Sequence, residues 1–256
     1  MDTLGFSIAA DGLVCINHDV NHYAVTAANV GKSPCSVRTK CGHKPMAIHS
    51  IYYRPKNSKK SHLKGDNCPF IYAWKKKVSD LYVTKYSLDG MREEFYILLE
   101  QMIDSILEND TVNYIVPMPS KHCLSKSLAR RISRLLPDAK ILDGLFVKRT
   151  NNEMIEQIKS SNLSTLDKSR LVRVINMATE SGKGFSISDV PIVLREYLDP
   201  VKMTQTILPE GTYLLVDDLF ATGSTMVNAK NKIYINNNKN IILGAVLFSP
   251  YLNKTH

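Results

Sequence analysis

No apolar run in this chain approaches the ~20 residues needed to cross a bilayer. The most oily stretch, Ile241-Ile242-Leu243-Gly244-Ala245-Val246-Leu247-Phe248, has the length of a buried strand. The first residues lack the basic, oily, small-residue grading of a secretory leader. Both absences lead to the expectation of a cytoplasmic protein with no membrane partner. Paired cysteines are also missing. The five present, at 15, 35, 41, 68 and 123, are odd in number and irregular in spacing, which argues against a disulfide framework and fits a reducing compartment. Cys35, Cys41, His43 and Cys68 form a conceivable zinc set, but without the C-x2-C spacing of zinc knuckles; the plainer reading is small buried or neutral surface residues. Repeats and low-complexity tracts are absent as well. With 44% hydrophobic and 22% charged residues over 256 positions, the chain suits one large domain or one and a half small ones.

Acidic residues are comparatively scarce, and the net charge is +9. The excess is uneven. From Arg54 to Lys77, the basic residues Arg54, Lys56, Lys59, Lys60, Lys64, Lys75, Lys76 and Lys77 face a single acid, Asp66, with Tyr52, Tyr53, Phe70, Tyr72 and Trp74 interleaved or adjacent. Two readings stand: a solvated surface, or a patch that attracts nucleic acid, a protein assembly or a polyphosphate.

Residues 1–70 lack a helical period and read as short strands and loops in an N-terminal extension or subdomain, with the main domain over 71–256. Phe95, Leu98, Leu99, Met102, Ile103, Ile106 and Leu107 predict an amphipathic helix over 92–108. A strand at Tyr114 to Pro117, a helix over 124–136 and a short strand at 139–142 follow. Ser164-Thr165-Leu166-Asp167 fits a helix cap. Residues 179–208 read as a long, weakly patterned connection. Strand Tyr213 to Val216, helix Ser224 to Ile235 and strand Ile241 to Phe248 close the chain. Alternating strands and helices predict an α/β, doubly wound, mainly parallel sheet whose crevice opens at the carboxyl ends of its strands. Residues 117–121 and 217–225 both fall at such ends.

The second of these reads Asp217-Asp218-Leu219-Phe220-Ala221-Thr222-Gly223-Ser224-Thr225. Adjacent carboxylates leaving a strand suit a cation or sugar hydroxyls, which offset their desolvation. Ala221, Thr222, Gly223, Ser224 and Thr225 supply a tight turn, free amides and hydroxyls at a helix start, an anion site. A merely capped helix start is the bland alternative. A sugar site beside a phosphate cradle points to a phosphorylated pentose.

The segment Tyr213 to Thr225 closely resembles the phosphoribosyl pyrophosphate (PRPP) signature of type I phosphoribosyltransferases. Within that superfamily, the chain is most similar to ComF and amidophosphoribosyltransferase-like proteins. Tyr114-Ile-Val-Pro-Met-Pro-Ser-Lys121 is similar to their pyrophosphate-loop segment. Val147-Lys-Arg-Thr150 with Asn162 to Arg173 resembles their flexible loop. The resemblance covers residues 70–250. It departs from the ComF pattern in lacking the zinc-ribbon pairs, in a longer 179–208 and in the basic cluster.

The resemblance implies the type I phosphoribosyltransferase fold, with an irregular extension or hood over an acceptor, drawn from 1–90 or 180–207. It implies that Asp217 and Asp218 hold the ribose hydroxyls and influence the metal, that Ala221 to Thr225 bind the 5-phosphate, and that Ser120, Lys121 and His122 meet the pyrophosphate. Mg2+ bound with PRPP is the implied cofactor, and a homodimer or a subunit of a larger complex the implied assembly. The implied reaction is a phosphoribosyl transfer to, or removal from, an unidentified acceptor, with pyrophosphate leaving a centre of oxocarbenium character. Lys121 with Lys148, Arg149, Lys168, Arg170 and Arg173 are candidates for offsetting the leaving-group charge. Tyr72, Trp74 and Tyr86 are candidates for stacking on a base, or for packing. A second class is a nucleotide-sensing regulatory or defence protein that keeps the pocket and binds nucleic acid or a protein assembly through Arg54 to Lys77.

Overall fold

The computed structural model describes residues 5–17, 23–28, 31–39, 44–55, 65, 67–120, 122–180, 185, 190–220 and 223–250. Its strands are β1 (Gly5–Ile8), β2 (Val14–Asn17), β3 (Cys35–Arg38), β4 (Ala47–Tyr53), β5 (Tyr114–Pro117), β6 (Lys140–Ile141), β7 (Phe146–Lys148), β8 (Val201–Met203), β9 (Thr212–Leu219) and β10 (Ile241–Ser249). Its α-helices are α1 (Pro69–Trp74), α2 (Lys85–Gly90), α3 (Arg92–Leu107), α4 (Leu124–Leu135), α5 (Asn151–Ser160), α6 (Thr165–Glu180) and α7 (Ser224–Asn236), with a 3-10 turn at Ile192–Tyr197.

The central sheet has six strands in the order β3-β4-β10-β9-β5-β6, parallel except for β3 at one edge. Period-two alternation along β9 explains why it needs cover on both faces. Leu214 and Val216 join one core with Leu98 and Met102 of α3 and with Leu128 and Ile132 of α4. Tyr213 and Leu215 join a second with Met226, Ala229 and Ile233 of α7. Helices therefore flank both faces, an α/β arrangement compatible with the doubly wound expectation.

Two stretches differ from the sequence reading. β3 and β4 lie inside the expected extension 1–70, yet β4 pairs in parallel with β10 and is an inner strand of the main sheet. Its polar positions hid it, because Ser50 is buried by bonding to Cys35: its hydroxyl lies 2.9 Å from the Cys35 thiol. The described residues within 179–208 also carry regular structure where a weakly patterned connection was expected. α6 runs to Glu180, the 3-10 turn follows, and β8 pairs antiparallel with β7. α5 and α6 pack on Leu194 and Leu198 through their own core of Met154, Ile158, Leu171 and Ile175. Ser164 caps α6, accepting from the Asp167 amide at 3.1 Å, as its sequence indicates. No described helix is long and apolar enough to cross a membrane.

Candidate functional site

From β5 the chain passes through α4 to β6 on one side; from β9 it passes through α7 to β10 on the other. The connections thus diverge between β5 and β9, and such a switch point opens a crevice at the carboxyl ends of parallel strands. A cleft lies there, lined by Pro119 and Ser120 after β5, Asp217 and Asp218 of β9, and Thr225 in the first turn of α7. The two loops picked out from sequence do come together. β9 runs past the expected Val216 to Leu219, so both aspartates sit on the strand itself.

Asp217 Oδ1 accepts from the Ser125 hydroxyl of α4 at 3.1 Å and from the Asp218 amide at 2.8 Å. Burial, and then the neighbouring charge of Asp218, push its carboxyl up to about 7. Asp218 is 4% exposed, and its Oδ2 lies 2.6 Å from Lys75 Nζ, just beyond the end of α1. One aspartate is therefore locked in an internal ion pair and the other is not. Lys75 is the site residue that sequence reasoning placed elsewhere, in the basic cluster. Arg54 of that cluster is buried, Lys76 and Lys77 are exposed, and Lys56, Lys59, Lys60 and Lys64 lie outside the described residues.

Gly223 adopts φ +73° as the N-cap of α7. A Cβ there would meet the Phe220 ring at 2.4 Å, so only glycine fits the turn that brings the helix start to the cleft. Ser224 opens the helix and Thr225 faces the cleft. Ala221, Thr222 and Lys121 lie outside the described residues. Exposed His122 donates its amide to Ser120 Oγ at 3.3 Å. Partial desolvation and the positive charges of Lys75, Lys148 and Lys77 lower its pKa, against an opposing pull from Asp218.

The far wall comes from the β7–β8 and α5 region, through Lys148, Arg149, Asn151, Met154 and Pro200. Arg149 Nη2 holds Asp199 at 2.9 Å, and Lys232 of α7 reaches the same carboxylate at 2.6 Å, tying this wall to α7. Lys168, Arg170 and Arg173 are on α6, outside the cleft: Lys168 donates to the Lys159 carbonyl, and Arg170 pairs with Asp167. Tyr86 is 75% exposed, Tyr72 lies under Lys77, and Trp74 stacks near Phe70. Of the zinc set, Cys35 bonds Ser50 and Cys68 is buried, while Cys41 and His43 lie outside the described residues. Among the described residues, no three His, Cys, Asp or Glu side chains form a metal cluster.

Comparison with protein families and with characterised proteins gives no match.

Proposed function

We propose that this cleft binds PRPP, that the sheet is that of a type I phosphoribosyltransferase, and that the protein transfers phosphoribose to or from an acceptor. The observation that carries this reading is the convergence of Asp217, Asp218, Ser120 and Thr225 at one switch point, ringed by Lys75, Lys148 and Arg149. A sugar phosphate with a pyrophosphate tail matches that set: carboxylates for hydroxyls, a helix start for the 5-phosphate, and cations for the diphosphate. The ribose hydroxyls donate to Asp217 and Asp218. The first turn of α7 orients the 5-phosphate, and Ser120 with Lys121 meets the pyrophosphate. Lys148 and Lys75 add positive charge where the C1–O bond to the leaving group breaks.

Mg2+ fits the donors at hand. Asp217 is a hard oxygen ligand whose carboxyl is pushed up to about 7 by burial and then by the charge of Asp218, and a divalent cation offsets both. When bound with PRPP, Mg2+ neutralises charge on the pyrophosphate. Pyrophosphate release from PRPP and Mg2+ across a panel of nucleobases and other amines tests the transferase; release with one acceptor above the no-acceptor rate is expected. PRPP bound without any such release removes the enzymatic part.

One observation favours the sensor reading as a second possibility. Lys75 both pairs with Asp218 and begins the Lys75-Lys76-Lys77 run, so a ligand competing for Asp218 acts directly on the basic segment. On this reading, PRPP alters salt-dependent retention on nucleic acid, and Lys76→Gln with Lys77→Gln abolishes that retention. Retention unaffected by both changes removes the sensor.

A further inference from the structure

A groove of about 400 Å³ lies between α1, α2, α3 and the start of α4, outside the cleft. Its walls are aromatic: Phe70 and Trp74 on α1, with ring centroids 5.8 Å apart, and Phe95 and Tyr96 on α3, in edge contact at 5.3 Å. Its rim is cationic. Lys85, Arg92 and Arg131 face it against one acid, Asp89. Arg131 is already oriented, lying 5.8 Å from the Phe95 ring and donating to the Ser127 carbonyl. Among the described residues, neither Lys85 nor Arg92 has a carboxylate partner.

We infer that this groove is a second ligand site, for a flat aromatic ring bearing a negative charge. Size, shape and charge agree on that class. The volume falls within the ~300–1,000 Å³ of small-molecule pockets, and Trp74 on one helix with Phe95 and Tyr96 on another supplies aromatic lining, Phe70 being packed into the core beneath. Surplus guanidinium and ammonium groups at the mouth select an anion, with Arg131 placed to meet a carboxylate in its own plane. The site adjoins the cleft through two elements. Trp74 lines the groove and Lys75 pairs with Asp218; Leu124 lines the groove and Ser125 bonds Asp217. The inference does not depend on PRPP.

Trp74 is the sole tryptophan of the chain and lines this groove, so its fluorescence reads occupancy there, with Arg131→Gln separating the groove from the neighbouring cleft. The probes are nicotinate, nicotinamide and 3-picolylamine, which present one ring with negative, neutral and positive substituents. Saturable quenching is expected for nicotinate, about tenfold weaker binding for nicotinamide, the worth of a charge-assisted hydrogen bond, and none for the amine. Arg131→Gln, at an exposed position whose loss leaves the core intact, is expected to bring nicotinate down to the amide level, while Asp217→Asn leaves it unchanged. Quenching that never saturates, equal affinity for all three probes, or indifference to Arg131→Gln overturns the site.

Discussion

Lys75 Nζ lies 2.6 Å from Asp218 Oδ2, joining the loop after α1 to the strand that carries the acidic pair. Both side chains are largely buried. Removing one leaves the other charged and desolvated, which costs far more than the pair contributes. Lys75→Met is expected to destabilise the protein by about 3 kcal/mol, whereas Lys76→Met, at an exposed position, changes little. The combination Lys75→Met with Asp218→Asn recovers much of that loss. Urea unfolding of Lys75→Met, Asp218→Asn and the double variant, read as a double-mutant cycle with Lys76→Met as the control, checks it.

Asp217 gives a pH signature. Its carboxyl is raised from the ordinary range to about 7 by burial and by Asp218, so between about pH 4 and pH 7 the folded state holds a proton that the unfolded state has released. Its contribution to stability is therefore greatest at the acidic end, declines as pH rises through that window, and is flat above it. Asp217→Asn removes this slope. The difference between wild-type and variant unfolding free energies, followed with pH, isolates the effect.

The turn before α7 tolerates no side chain at Gly223. Gly223→Ala combines a left-handed backbone, at about 1–2 kcal/mol for a residue with a Cβ, with a methyl 2.4 Å from the Phe220 ring. A lower thermal midpoint is expected, together with loss of 5-phosphate binding, because the first turn of α7 shifts. Calorimetric melting of the variant with and without ribose 5-phosphate measures both.

Among the described basic residues proposed for the leaving group, Lys75, Lys148 and Arg149 line the cleft, and Lys168, Arg170 and Arg173 do not. Lys148→Ala is expected to weaken inorganic pyrophosphate binding about tenfold, the scale of one charge-assisted contact. Lys168→Ala, on α6, leaves it unchanged. Competition titrations with pyrophosphate separate the two.

The acidic strand end and the helix start were legible because local rules govern them: a hydrophobic run, then carboxylates, then a glycine where the backbone must turn left-handed. Helices α3 and α4 were legible from their amphipathic periods, strands β5, β9 and β10 from short apolar runs, and α7 from the turn that precedes it. Lys75 was not, since its partner is far along the chain and its neighbours made it look like surface charge. β4 was hidden by His49 and Ser50 within an otherwise apolar strand, and its pairing with β10 spans most of the sequence. The wall over the cleft escaped because β7 and β8 are three residues each and find each other only across α5 and α6.

Calorimetric titration of the full chain with PRPP, with and without Mg2+, at about pH 8 and so above the Asp217 titration, tests the central claim most directly. The account predicts saturable, Mg2+-dependent binding that is lost in Asp217→Asn and weakened in Lys148→Ala. No binding to the folded wild type, or binding undiminished by Asp217→Asn, contradicts it.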